Sequence, residues 1–405
     1  MAQGPSVTPA RRAAYEVVHR VFEDDAYADR VLPSAAAGLD RRDRALAQQI
    51  AYGTVQRVRA LDHGIEALGK RPVRKLDPPV RTALRLGAYQ LGYLEVAPHA
   101  AVNESVELVR AARLERAVPF TNAVMRRLSD GLRALLEALP EGPLKHSYPD
   151  WIYETWVRDW GEEGALELMR AQNEPPETVV RLVRGEIRGE PTDVPGAWRV
   201  GRVDDLALAE GRIWPQSRGS QLAGLAVGSR AGERVLDLCA APGPRGARPQ
   251  RPRRRAWSPS RRARELEENA SRLHATNVRV VNADGLALPP ELSGFDRALV
   301  DAPCSGLGVL AGRPDLRWRA QPLPELQLAL LRSASERVKP GGTVLFSVCT
   351  LNADENEAIV EASGLPPDDL GTEWPQFRHP KDPRFLLTVP HRHGTSGFFV
   401  ARLRV

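Results

Sequence analysis

Three cysteines occur in the sequence, Cys239, Cys304 and Cys349, and two of them stand where a thiol could react. Cys304 lies in Asp301-Ala-Pro-Cys-Ser-Gly306, after the aliphatic run Arg297-Ala-Leu-Val-Asp301. Cys349 lies in Ser347-Val-Cys-Thr350, after Thr343-Val-Leu-Phe-Ser-Val348. A single buried cysteine is ordinarily a small core hydrophobe. Two cysteines just past strand-like runs, on one edge, point instead to reactive thiols, because a thiolate is a strong nucleophile and nearby backbone N–H groups lower its pKa. Cys239, with apolar neighbours after Arg234-Val-Leu-Asp-Leu238, reads from its surroundings as packing. Asp284, in Asn-Ala-Asp-Gly, and Asp301 are each either a turn carboxylate or an acceptor for a ribose or an amino group. No CxxC or Cys/His cluster suggests a metal.

These residues need a frame that brings strand ends together. From about residue 228 the sequence alternates strand, loop and helix, with strands expected at 234–238, 278–281, 297–301 and 343–348, and a late one at 397–403. Helices are expected at 264–274 and 325–338. That alternation specifies a doubly wound α/β sheet, in which ligands sit beyond the carboxyl ends of the strands. Residues 10–135 differ. Val17, Val18 and Val21, then Leu46, Ala47, Ile50 and Ala51, then Val80, Leu84 and Leu91 recur at helical spacing, with breaks at Pro33, 70–73, Pro78-Pro79 and Pro98. Between the two regions, residues 141–215 read as a small α+β connector.

The whole has 405 residues, with 42% hydrophobic and 27% charged, which excludes disordered and fibrous classes. No apolar run is long enough for a membrane span or signal peptide, so a soluble cytoplasmic protein is expected. Lys and Arg exceed Asp and Glu by 57 − 51 = 6, but residues 244–262 alone hold eight Arg and no acid. The basic balance is therefore local, and net charge alone is a weak argument for nucleic acid.

Five segments resemble the RNA 5-methylcytosine methyltransferases: 234–243, 301–306, Arg313-Pro-Asp-Leu-Arg-Trp318, Lys339-Pro-Gly-Gly342, and 347–350 followed by Glu355-Asn356. The helices, with Ala14-Tyr-Glu-Val-Val18, Gly87-Ala-Tyr-Gln-Leu91, 98–104 and 122–128, resemble the NusB-like RNA-binding domain of the RsmB (Sun/Fmu) branch. The resemblance implies an all-α NusB-like domain over 1–140, the connector over 141–215 and a Rossmann-like methyltransferase domain over 216–405. It implies S-adenosyl-L-methionine as cofactor, 16S ribosomal RNA as partner, no metal, no membrane and a monomer. Cys349 would attack carbon 6 of cytosine, Cys304 would assist release, and Asp301 would hold the base. Cys239, Ala240, Ala241, Pro242, Gly243, Arg245, Asp284 and Asp301 would bind the cofactor. Two alternatives stay open: a non-catalytic RNA-binding homologue, and a transfer-RNA cytosine-5 methyltransferase.

The sequence departs from the family after Gly243. Arg245 holds the place of a lysine, Trp257 that of an acid, and no Val, Ile or Leu occurs between Leu238 and Leu266. Prolines 244, 249, 252 and 259 break what should be a helix and a central strand. A buried parallel strand reads as an aliphatic run, which eight arginines cannot replace. Residues 244–260 therefore read as a locally frame-shifted translation, against a basic RNA-binding insertion or a degenerate cofactor loop. The strand beside Val235–Leu238 is expected to be missing, with none across Arg254–Ser258.

Overall fold

The computed structural model describes residues 7–240 and 259–405, which form two compact units. The first takes in the chain to Glu174 together with Leu310–Arg319; the second takes in Pro175–Val309 and Ala320–Val405. The stretch 141–215 thus divides between them.

The first unit is helical: α1 (Pro9–Glu23), α2 (Ala28–Ala35), α3 (Arg41–Gly69), α4 (Pro78–Tyr93), α5 (Pro98–Ala111), α6 (Val118–Glu137), α7 (Pro143–His146) and α8 (Asp150–Ala171). Proline starts α1, α4 and α5, where its missing N–H costs no helical bond. Asp40 caps α3 by accepting from Asp43 N, and Lys70 ends it in the left-handed conformation. Pro33, expected as a break, lies inside α2 two residues before its end, where little helix remains to be disrupted. The apolar faces meet in one core, with Val17, Val18, Ile50, Leu61, Leu84, Leu86, Met125 and Leu128 all nearly inaccessible.

Leu310–Arg319 packs as part of this unit. Arg317 is fully buried, donates to Gln56 O (3.2 Å) and Gln172 O (2.8 Å), and lies 3.8 Å from the ring centroid of Tyr148. Trp318 Nε1 donates to Val55 O at 2.7 Å. No helix among the described residues is long and apolar enough to cross a membrane.

The second unit contains two sheets. Strands β1 (Val179–Leu182), β2 (Glu190–Pro191), β3 (Ala197–Arg199) and β4 (Ile213–Pro215) form an antiparallel sheet in the order β2-β3-β1-β4. Strands β5 (Val235–Asp237), β6 (Phe295–Asp301), β7 (Val338–Val348), β8 (Leu386–Thr388) and β9 (Phe398–Arg404) form the other, in the order β5-β6-β7-β9-β8. β5, β6 and β7 are parallel, whereas β9 runs antiparallel to both β7 and β8. Helices Pro259–Arg272 and Pro324–Ser335 stand where the alternation places them. Leu345, Val400 and Leu386 pack with Leu222 and Ala226 of the helix Arg218–Ala226 on one face of this sheet.

One expected strand does not form. Val278–Val281 lies in irregular chain, with Val278 50% and Val281 42% exposed. A strand needs a ladder partner, and among the described residues nothing pairs with β5 on its side away from β6. The expectation of no strand across Arg254–Ser258 lies outside the described residues.

Candidate active site

β6 and β7 run parallel, with Asp301 opposite Ser347. The turns after them therefore leave the same sheet edge side by side, which brings Cys304 and Cys349 together: both are buried and their Sγ atoms stand 3.5 Å apart. Backbone bonds contribute to the pairing. Ala302 N donates to Ser347 O (2.9 Å) and Gly308 N to Cys349 O (3.0 Å), joining the two turns directly. Gly397 N in turn donates to Gly308 O at 2.8 Å. A Cβ on Gly308 would stand 2.2 Å from Gly397 O, so this approach requires glycine.

The acids gather at the same edge. Asp301 ends β6 and accepts from Ser347 Oγ at 3.3 Å. Asp237 ends β5, one strand away. Desolvation, reinforced by the nearby Asp301 carboxylate, pushes the Asp237 carboxyl up to about 7, and the Cys239 N–H bonded to it opposes the rise. Its side chain is exposed, so Asp237 is a group at an open sheet edge and not a core residue. Asp284 is exposed, and its Oδ1 accepts from Leu286 N at 3.0 Å, which is turn chemistry. Gly285 packs beside Leu238, so this turn adjoins the one after β5.

The sequence-predicted residues divide accordingly. Cys304, Cys349 and Asp301 come together, with Cys239 and Ala240 in the turn beyond β5 and Asp284 in the neighbouring turn. Ala241, Pro242, Gly243 and Arg245 lie outside the described residues. The Arg313–Trp318 motif belongs to the helical unit, where Arg317 and Trp318 donate to the carbonyls of Gln56 and Val55. Two further residues stand out: Asp237, one of the strand-end candidates, and Glu355 of the last motif, which is wholly buried. The signal for Asp237 is its place as the last residue of a strand, the position where such sheets carry ligand-binding groups. Among the described residues no cluster of three or more His, Cys, Asp or Glu could hold a metal ion.

The donor set of this edge suits a cationic ligand. Two carboxyl groups on neighbouring strand ends repel each other when both are ionised, and a bound cation relieves that repulsion. S-adenosylmethionine carries a sulfonium and an ammonium, so the described residues fit it.

The family model for the 16S rRNA methyltransferase RsmB/F matches residues 225–404, and that for the NusB family matches residues 8–130. A probable ribosomal RNA small subunit methyltransferase B from Synechocystis is 32% identical over 98% of this chain and 99% of its own. The chain belongs to the RsmB/F methyltransferase family. Another RsmB/F relative, the ribosomal RNA small subunit methyltransferase B of Thermus thermophilus, is 34% identical over 90% of this chain and 89% of its own. The crystal structure of PH0851 shares the fold over all of both chains, with TM-score 0.79 and 20% identity. That of NSun6 from Pyrococcus horikoshii with SFG covers 64% of this chain and 98% of its own, with TM-score 0.50 and 20% identity. This RsmB/F chain thus joins a NusB-like helical domain to a Rossmann-like methyltransferase domain.

Proposed function

We propose that this chain methylates carbon 5 of a cytosine in small-subunit ribosomal RNA, with S-adenosyl-L-methionine as methyl donor. The observation that carries the reading is the pair of buried thiols 3.5 Å apart at the ends of adjacent parallel strands. Relatives named as ribosomal RNA small subunit methyltransferases support the substrate class. Carbon 5 of cytosine is a weak nucleophile. Addition of the Cys349 thiolate to carbon 6 makes it electron-rich, while Asp301 holds the amidine edge of the base and stabilises the charge that develops. The cofactor supplies an electrophilic methyl group from its sulfonium. Cys304, against Cys349, assists loss of the carbon 5 proton; the carbon 6–sulfur bond then breaks and returns the Cys349 thiolate.

Asp237, Asp284 and Asp301, with Cys239 and Ala240 and, by resemblance, Ala241, Pro242, Gly243 and Arg245, would hold the cofactor's charged and hydroxyl groups. The target base must leave its stack to reach thiols this buried, which favours a single-stranded or loop position. The NusB-like unit would contact the RNA backbone. Cys349→Ala should abolish methyl transfer, and transfer at the wild-type rate by that variant would refute the mechanism.

A second reading, an RNA-binding homologue without catalysis, draws on the exposure of Val235 (39%), Val278 and Val281 around the cofactor side of the sheet. Calorimetric titration with S-adenosylmethionine separates the two. Binding supports the enzyme, and no binding beside retained RNA affinity supports the homologue.

A further inference from the structure

Glu355 has no accessible surface, although it is a carboxylic acid. Burying such a group costs several kcal/mol unless its oxygens are fully satisfied, and an apolar side chain of that size would fill the same space without that cost. The partners of Glu355 are distributed in a particular way. Oε1 accepts from Ser305 N, Leu323 N and Gln327 Nε2, each at 3.0 Å. Oε2 accepts from Ser305 Oγ, from Thr350 Oγ1 at 3.4 Å and from Asn352 Nδ2 at 3.5 Å. Ser305 follows Cys304 and Thr350 follows Cys349. Their hydroxyls also meet, at 2.7 Å. Gln327 completes the frame by donating to Pro303 O at 2.9 Å, on the other side of Cys304. Asn356 Nδ2 holds Thr350 O at 3.3 Å.

One carboxyl group therefore grips the residue after each cysteine and anchors both to the first turn of the helix Pro324–Ser335. Its two oxygens are fixed in the plane of the group, so the separation of the two turns is set by a rigid unit and not by compressible apolar packing. We propose that Glu355 is the positioning residue that sets the distance and orientation of Cys304 relative to Cys349. The consequence for catalysis rests on the proposed methyl-transfer reading; the geometric claim does not.

Thiol equilibria test the geometry directly. In glutathione redox buffer, Cys304 and Cys349 pass two hydrogens to glutathione disulfide, forming one intramolecular S–S bond and two molecules of glutathione. The equilibrium constant reports how well the fold presents the two sulfurs to each other. Measured on the full chain by peptide mass mapping, it should fall at least tenfold in Glu355→Gln, whose amide turns N–H groups toward donors. Alkylation of Cys239 in the same samples serves as the reference for general loosening and should change less than twofold. Gln327→Leu, which removes one anchor and leaves the carboxyl in place, should give at least a threefold fall and covers the case in which Glu355→Gln does not fold. Constants within twofold of wild type in a folded variant would overturn the proposal, as would an equal increase in Cys239 reactivity.

Methylation assays add the functional readout: kcat should fall at least a hundredfold in Glu355→Gln with KM for RNA within threefold. If the wild-type chain never forms a covalent RNA adduct, the methyl-transfer reading fails while the thiol equilibrium still decides the clamp.

Discussion

Replacing Arg317 by alanine is expected to destabilise the helical unit by roughly 2 to 5 kcal/mol, from the balance of three effects. The guanidinium donates to the carbonyls of Gln172 and Gln56 at 2.8 and 3.2 Å, with those of Ser147 and His146 at 3.4 and 3.5 Å. Two good charge-assisted hydrogen bonds contribute about 1.5 to 3 kcal/mol each, and a desolvated cation–π contact such as that with Tyr148 about 2 kcal/mol. Opposing them, burial holds the Arg317 pKa down at about 10 against an ordinary 12.5. That penalty on the charged form is roughly 3 kcal/mol at about 1.4 kcal/mol per pKa unit. Amide hydrogen exchange of peptides covering 50–60 and 144–174 would read the loss as local opening raised by about 30-fold or more. Arg317→Met discriminates the causes, because it fills much of the volume without the charge. If the carbonyl cage is what matters, the methionine variant also loses stability. Methionine at wild-type stability would refute the reasoning, since the desolvation cost would then cancel everything the cage contributes.

Asp237 predicts a pH dependence. Between its ordinary value of 3.8 and about 7, the folded protein keeps a proton that the unfolded chain has released. Stability of the ligand-free protein should therefore fall as pH rises through that window, and Asp237→Asn should flatten the slope in urea titrations. Binding of a cationic cofactor favours the ionised form, so affinity should rise with pH through about 7, with proton release detectable by calorimetry in buffers of different ionisation enthalpy. Gly308→Ala forces a Cβ against Gly397 O. It should destabilise the methyltransferase unit by about 2 kcal/mol or more and weaken Cys304–Cys349 disulfide formation; a neutral thermal melt would contradict it.

The frame that pairs the two cysteines is legible because its signals are local. Leu299–Asp301 and Val344–Val348 are apolar runs ending in polar turns, and parallel pairing then brings the two cysteines to one edge. The helices of the NusB-like unit were legible for the same reason, since period and proline mark them. Val278–Val281 has the residue pattern of a strand but does not form one, because a strand depends on a partner that the segment itself does not encode. Membership of Leu310–Arg319 in the helical unit was invisible because it rests on contacts such as Arg317 with Gln56, 261 residues apart in sequence. Glu355 was legible as a motif letter but not as a clamp: its function lies in donors from Ser305, Leu323, Gln327, Thr350 and Asn352, which only the folded chain assembles.

In the proposed mechanism Cys349 bonds to the base and Cys304 lets it go. The direct measurement is a denaturing gel of the wild-type, Cys304→Ala and Cys349→Ala chains incubated with small-subunit ribosomal RNA and S-adenosylmethionine. A slow-migrating protein–RNA adduct is expected with Cys304→Ala and none with Cys349→Ala. An adduct with Cys349→Ala, beside free turnover by Cys304→Ala, would contradict it by reversing the two roles.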